Sequence, residues 1–259
     1  MEQLRISIVQ SHLHWENPVA NREQFTEKLA GLSGLTDLIV LPEMFTTGFT
    51  MNAQPHAETM MGATVDWMRE QAKITQAAII GSVIIEEAGS FYNRCIFIDS
   101  KGSLQYYDKR HTFTLAGEHK TYKSGNHHTI IEYKGWRLCP LVCYDLRFPV
   151  WSRNTHNYDV LLYVANWPKK RIAAWDALLK ARAIENMAYC VGVNRVGLDG
   201  NGYEYVGHSG VYDVLGETIT ASTHLETEWI DTVLLDKKHI TTLREQLLFL
   251  GDQDSFRLE

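Results

Sequence analysis

Three residues stand where open α/β sheets put their chemistry, just outside the carboxyl ends of strands. Glu43 follows LIVLP in LPEMFTTGF, Lys109 follows a candidate strand at 104–107 in YYDKRHTF, and Cys143 closes the apolar run of RLCPLVCYDLRFP. A cysteine at a strand-to-helix turn sits beside backbone N–H groups. Those groups and a nearby ammonium would lower the thiol pKa from about 8.5 and favour the thiolate. A carboxylate within hydrogen-bond reach could instead take the thiol proton as general base, a contribution of about 10²–10⁴ in rate. A lysine beside the pair could hold an oxyanion, and one such donor contributes about 3–4 kcal/mol. Together these parts describe acyl transfer through a thioester.

Plainer readings compete with that one. Strand cysteines are mostly packing, and Cys95 and Cys139 lie inside apolar runs, with Cys190 at a helix-to-strand junction. Glu43 alone could cap a helix, and Lys109 alone could be a solvated turn residue. The three do not form a local motif, so their chemistry taken alone leaves enzyme and non-enzyme both open. Eleven histidines invite a metal reading. His12 and His14 alternate along one strand and His127 and His128 are adjacent, but no H-E-x-x-H or C-x-x-C spacing occurs, so no metal is expected. Phosphate-loop, dinucleotide and G-x-S-x-G fingerprints are also missing, which removes the usual support for nucleotide, flavin and serine-hydrolase chemistry.

Elements capable of positioning these residues follow from periodicity. Residues 4–10 alternate as a strand, and 17–32 turn helical with Asn17 as N-cap and Pro18 in the first turn. Strands are expected at 38–43, 78–85, 91–98, 104–107, 129–132, 136–143, 159–164, 190–196, 210–214, 218–221 and 229–235. Helices are expected at 64–76, 171–188 and 237–248. No Pro- or Ser-rich linker or repeat divides the 259 residues, so the interleaved pattern predicts one α/β domain over 1–259. A composition of 45% hydrophobic and 22% charged residues excludes disorder and fibrous classes. Lys+Arg 25 against Asp+Glu 31 gives a net charge of −6, so no basic field invites nucleic acid. The opening MEQLRISIVQ lacks a signal-peptide apolar stretch, and no apolar run reaches the roughly 18–20 residues that cross a bilayer. Four cysteines are too few for a disulfide scaffold, so a reducing cytoplasm is the expected location.

At the three strand ends the chain closely resembles the nitrilase, or carbon–nitrogen hydrolase, superfamily, through the Glu of LPEMFTTGF, the Lys of YDKRHTF and the Cys of CYDLRFP. The resemblance runs from the strand ending at Gln10 to the strand near 229–235. It implies a four-layer α-β-β-α sandwich that forms homodimers and uses no metal or organic cofactor. It also implies roles: Cys143 as nucleophile, Glu43 as base, and Lys109 with the Tyr144 N–H as oxyanion donors. Glu118 in TLAGEHKTYKSGN matches the family's second glutamate, which orients the substrate amine and the lysine. Trp167 of the Asn166-Trp167-Pro168 loop and Phe113 of HTFTLAGE are expected pocket walls. Arg147 is expected either to hold a substrate carboxylate or to form an internal ion pair. Arg182 and Glu185 of RAIEN, at i and i+3, read as a structural pair.

CYDLRFP and HTFTLAGE look most like the ω-amidase branch, whose members hydrolyse the terminal amide of 2-oxoglutaramate or 2-oxosuccinamate. The small-molecule amide substrate expected on that basis has three rivals. They are an amidase for N-carbamoyl amines or deaminated peptide amides, a catalytically silent binding protein, and a metallohydrolase using the histidines.

Overall fold

A computed structural model describes residues 2–221 and 224–258. In chain order the elements are β1 (Gln3–Gln10), α1 (Pro18–Leu29), β2 (Leu38–Val40), α2 (Ala63–Thr75), β3 (Ala78–Glu87), β4 (Ser90–Ile98), β5 (Leu104–Asp108), α3 (Glu118–Thr121), β6 (Ile131–Tyr133) and β7 (Trp136–Val142). They continue as α4 (Pro149–Ser152), β8 (Val160–Ala165), α5 (Ile172–Asn186), β9 (Tyr189–Asn194), β10 (Val196–Leu198), β11 (Glu204–Val206), β12 (Gly210–Tyr212), β13 (Trp229–Asp236) and α6 (Lys237–Leu247).

Two sheets carry the molecule, ordered β13-β1-β2-β3-β4-β5 and β12-β9-β8-β7-β6, with β10 and β11 paired separately. Strand parity shows what covers each face. Leu4, Ile6 and Ile8 of β1, Leu38 and Val40 of β2 and Ala78 and Ile80 of β3 share one core with β7, β8 and β9. The alternate residues Val9, Ile39 and Ile79 pack with Phe25 and Leu29 of α1 and Val65, Met68 and Ala72 of α2. Trp175, Leu179 and Ala183 of α5 and Ile240 of α6 belong to the core built on the second sheet. Helices, sheet, sheet, helices is therefore the layer order, the expected α-β-β-α sandwich. The central parallel strands are buried on both faces, which is why 38–40 and 160–165 read as unbroken apolar runs.

Local chemistry accounts for the element ends. The Asn17 side chain accepts from Ala20 N at 3.1 Å and Pro18 opens α1. The hairpin between β3 and β4 turns on Ala88 and Gly89, both with positive φ, the geometry that matches strand twist in two-residue loops. Two expectations fail, and the first is the strand at 218–221. Thr218 makes a single bridge to Tyr212, because the Asp213 side chain gathers Leu215 N and Glu217 N into a tight turn. Likewise His12 and His14 lie beyond the end of β1. No helix among the described residues is long and apolar enough to cross a membrane.

Candidate active site

Glu43 lies three residues beyond β2, on a segment clamped to β3: Met44 N donates to Ser82 Oγ at 2.8 Å and Phe45 N to Ser82 O at 3.1 Å. Its carboxylate is fully buried, so every lone pair must be answered from the protein. Oε1 accepts from Lys109 Nζ at 2.9 Å and Asn93 Nδ2 at 2.8 Å, and Oε2 accepts from Asn166 N at 2.8 Å. Asn166 Nδ2 also donates to the Glu43 carbonyl at 2.6 Å, tying the loop after β8 to the end of β2. With one short donor, Oε2 keeps acceptor capacity for a proton.

Lys109 follows β5, and its N–H continues the ladder to Asn93 O at 3.0 Å. The ammonium, only 1% exposed, is held by Glu43 and by both oxygens of buried Glu118, at 3.0 and 2.9 Å. Glu118 begins α3 after left-handed Gly117 and accepts in turn from Phe113 N. Burial pulls the Lys109 pKa down, but Glu118 and Glu43 outweigh it and hold the amine firmly protonated. Burial raises the Glu118 carboxyl, the Lys109 charge opposes this, and the Glu43 charge adds to it. Lys109 is accordingly the cation of the cluster and not a base.

Cys143 sits at the junction of β7 and the 3-10 turn Cys143–Arg147, with φ +44, a left-handed conformation that costs a non-glycine residue about 1–3 kcal/mol. The turn persists because Asp145 over-determines it. The buried Asp145 carboxylate accepts from Val142 N at 3.0 Å, His111 N at 2.9 Å and Tyr107 OH at 2.9 Å, and meets His111 Nδ1 at 2.8 Å. One carboxylate thus fastens the Cys143 turn to the chain flanking Lys109. From the helix side, Arg182 Nη2 donates to Leu146 O at 2.7 Å while Nη1 pairs with Glu185 at 2.9 Å, the structural pair expected. The thiol is partly exposed, 3.9 Å from Asn166 O. Its environment corrects the thiolate expectation: burial first, then Glu43, push the Cys143 pKa well up, with Lys109 opposing. That direction favours the neutral thiol, which needs a base. Cys95, Cys139 and Cys190 are buried and shifted upward by desolvation, as packing thiols should be.

Lys109 and Cys143 open onto a cavity of about 640 Å³, whose walls include Phe113, Tyr144, Arg147 and Trp167. Trp167 is pinned by Asn194 Oδ1 on its N–H at 2.7 Å, and the Arg147 guanidinium lies 4.9 Å from its ring centre. Among the described residues Arg147 makes no ion pair, and it lines the cavity. Arg171 stacks 5.0 Å from the Phe113 ring in the same cavity.

The profile of the carbon-nitrogen hydrolase family matches residues 5–245. The chain belongs to the carbon–nitrogen hydrolase family. Among curated relatives of this carbon–nitrogen hydrolase is the omega-amidase YafV of Escherichia coli strain K12, 47% identical over 259 residues and covering 100% of both chains. A 2-oxoglutaramate amidase of Bacillus subtilis is 30% identical, covering 95% of this chain and 96% of its own. The crystal structure of XC1258 from Xanthomonas campestris, a CN-hydrolase superfamily protein with an arsenic adduct in its active site, superposes with a TM-score of 0.97 at 43% identity, covering 100% of each chain.

Four residues of this hydrolase's site escape sequence reasoning. Asn93 donates to Glu43 and, at 3.3 Å, to Glu118; Asn166 closes over Glu43; Asp145 anchors the turn; Arg171 adds a second guanidinium. A faint signal existed for Asn93, a polar residue beginning the buried half of the strand SFYNRCIFI.

Proposed function

We propose that the chain is an ω-amidase, residues 1–259 acting as one unit, that hydrolyses the terminal amide of 2-oxoglutaramate or 2-oxosuccinamate to the 2-oxo acid and ammonia. The observation that carries this reading is a buried Glu43–Lys109–Glu118 cluster meeting the Cys143 thiol at a cavity that also holds the Arg147 guanidinium, which makes no ion pair among the described residues. The names of the Escherichia coli and Bacillus subtilis relatives support the substrate class.

In the proposed reaction the Cys143 sulfur attacks the amide carbonyl and its proton passes to Glu43. The developing oxyanion meets the Lys109 ammonium and the Tyr144 N–H, which precedes the first intrahelical bond of its turn. Collapse breaks the C–N bond, Glu43 returns the proton to the leaving nitrogen, and ammonia departs. Water then gives Glu43 a proton and attacks the thioester, the sulfur leaves and recovers that proton, and the free acid is released. Glu118 positions Lys109 throughout. Arg147, backed by Trp167, suits the substrate's 2-oxo carboxylate, with Phe113 as a further wall.

Ammonia release across a panel of amides tests this. 2-Oxoglutaramate should turn over faster than a neutral aliphatic amide, an N-carbamoyl amine or a deaminated peptide amide. Cys143→Ala should abolish hydrolysis while Cys139→Ala retains it, and activity should persist in EDTA. Arg147→Ala should raise KM for 2-oxoglutaramate about 10- to 100-fold, the loss of one charged hydrogen-bonded contact, and leave the neutral amide unaffected. Faster turnover of the neutral amide by the unmodified protein would overturn the substrate assignment. The same reading includes a homodimer, checked by light scattering. It also includes a cytoplasmic setting, where the four free thiols stay reduced.

A further inference from the structure

Away from the cavity, Asp176 of α5, His208 between β11 and β12, and His224 ahead of β13 bring one carboxylate and two imidazoles to a single point. Nδ1 of His208 lies 3.1 Å from both Asp176 oxygens and 3.2 Å from Nδ1 of His224. One donor atom from each of the three residues falls within 4.8 Å of the other two. Separations of 32 and 16 residues hide this grouping from any reading of histidine spacing.

Hydrogen bonding alone satisfies these contacts poorly. Nδ1 of His208 carries at most one proton. If that proton points to Asp176, His224 Nδ1 faces it only as a third acceptor for the same hydrogen. If His224 donates instead, the His208 lone pair faces two carboxylate oxygens at 3.1 Å. A cation among the three answers every contact at once. Ligand atoms about 2.1 Å from a tetrahedral zinc stand about 3.4 Å apart, close to the 3.1 and 3.2 Å spacings around His208 Nδ1. Two imidazoles and a carboxylate suit zinc and its neighbours, with one position left for water.

The surrounding structure aims the His208 ring. Gly207 and His208 both adopt positive φ, and at Gly207 a Cβ would fall 2.1 Å from the Gln10 side chain. Trp175 Nε1 donates to His208 O at 2.8 Å, and the His208 side chain is 12% exposed. We propose that Asp176, His208 and His224 bind a divalent transition-metal ion of the zinc class, tying the 207–209 and 224 segments to α5. None of the three lines the cavity, so the ion is a staple and takes no part in hydrolysis. Its reach extends to the cavity wall: Asn194 Nδ2 donates to Gly207 O at 2.8 Å, while Asn194 Oδ1 holds Trp167 N.

The test uses the Cys143→Ala protein, because a free thiol binds zinc itself. After treatment with EDTA and dialysis, it is titrated with zinc chloride by calorimetry at about pH 7.5 and with cobalt by visible absorption. One equivalent of zinc should bind, cobalt should give the strong bands of a tetrahedral site, and zinc should raise the melting temperature. Adding Asp176→Asn or His224→Gln should weaken zinc binding about 100-fold without changing the metal-free melting temperature. Absence of saturable binding in the Cys143→Ala protein, or undiminished binding in both added variants, would overturn the proposal. Because the nucleophile is removed throughout, the outcome is independent of the amidase reading.

Discussion

Glu43 and Lys109 show how far a role depends on what surrounds a side chain. In the proposed reaction the carboxylate accepts the proton of a thiol whose pKa burial and Glu43 push up, so removing its basicity should be felt in acylation first. Glu43→Gln should slow the ammonia burst in single-turnover experiments by about 10²–10⁴, since an amide cannot take the proton. A rate within about tenfold of the parent would contradict the base role. Lys109→Met should lower kcat by about 10²–10³ through loss of the oxyanion donor. It should also destabilise the fold by about 3–5 kcal/mol in urea denaturation, because Glu43 and Glu118 are left buried without their shared cation. Adding Glu118→Gln should recover much of that stability and none of the rate. Recovery of both would mean that Lys109 serves only to neutralise charge.

Between elements, one carboxylate joins the turn that presents Cys143 to the segment that presents Lys109. Asp145 gathers donors 3, 34 and 38 residues away, and Tyr107 OH is itself bonded by Trp151 Nε1 at 3.0 Å. Asp145→Asn should cost about 3 kcal/mol, because an amide has one acceptor oxygen for donors that now meet two. The strained φ of Cys143 should relax as its clamp loosens, lowering kcat more than it changes KM. Tyr107→Phe, which removes one donor of the set, should cost about 1 kcal/mol. Thermal unfolding and steady-state kinetics separate the two variants, and equal effects would refute the hub. The strand ends before Glu43 and Cys143 were legible beforehand, because each closes an apolar run, and Lys109 followed the candidate strand at 104–107. The Asp145 hub was not, since its partners lie beyond the range of any helical or strand period.

Across the whole molecule the two sheets are also joined by charge. Asp37, just ahead of β2, pairs with Arg5 of β1 at 3.1 Å and with Lys134 of the turn between β6 and β7, while Tyr133 OH donates to its carbonyl at 3.0 Å. Burial alone would raise this carboxyl, but Arg5 and Lys134 outweigh it and hold the pKa at about 2, below the ordinary 3.8. A depressed folded-state pKa stabilises the protein above the unfolded value, and that stability disappears as pH falls through the folded one. The pair should therefore contribute about 2 kcal/mol at neutral pH that is lost between about pH 4 and pH 2. Urea denaturation at about pH 5 and about pH 2.5 should show a smaller acid loss in Asp37→Asn than in the parent. Equal losses would remove Asp37 from the acid response.

The features readable from the chain were those governed by near neighbours. Apolar alternation set strand faces, Asn17 and Pro18 marked a helix start, and the ordered Glu43, Lys109 and Cys143 in their flanking motifs pointed to the family. Folding alone settled what depends on atoms arriving from far away. Asn93 and Asn166 reach Glu43 across 50 and 123 residues, and their donors fill lone pairs that burial strips of water. The direction of the Cys143 shift, the place of Arg147 on the cavity wall, and the meeting of Asp176 with His208 and His224 arise in the same way. Desolvation and hydrogen-bond satisfaction are properties of an assembled environment, and residue spacing carries no measure of them.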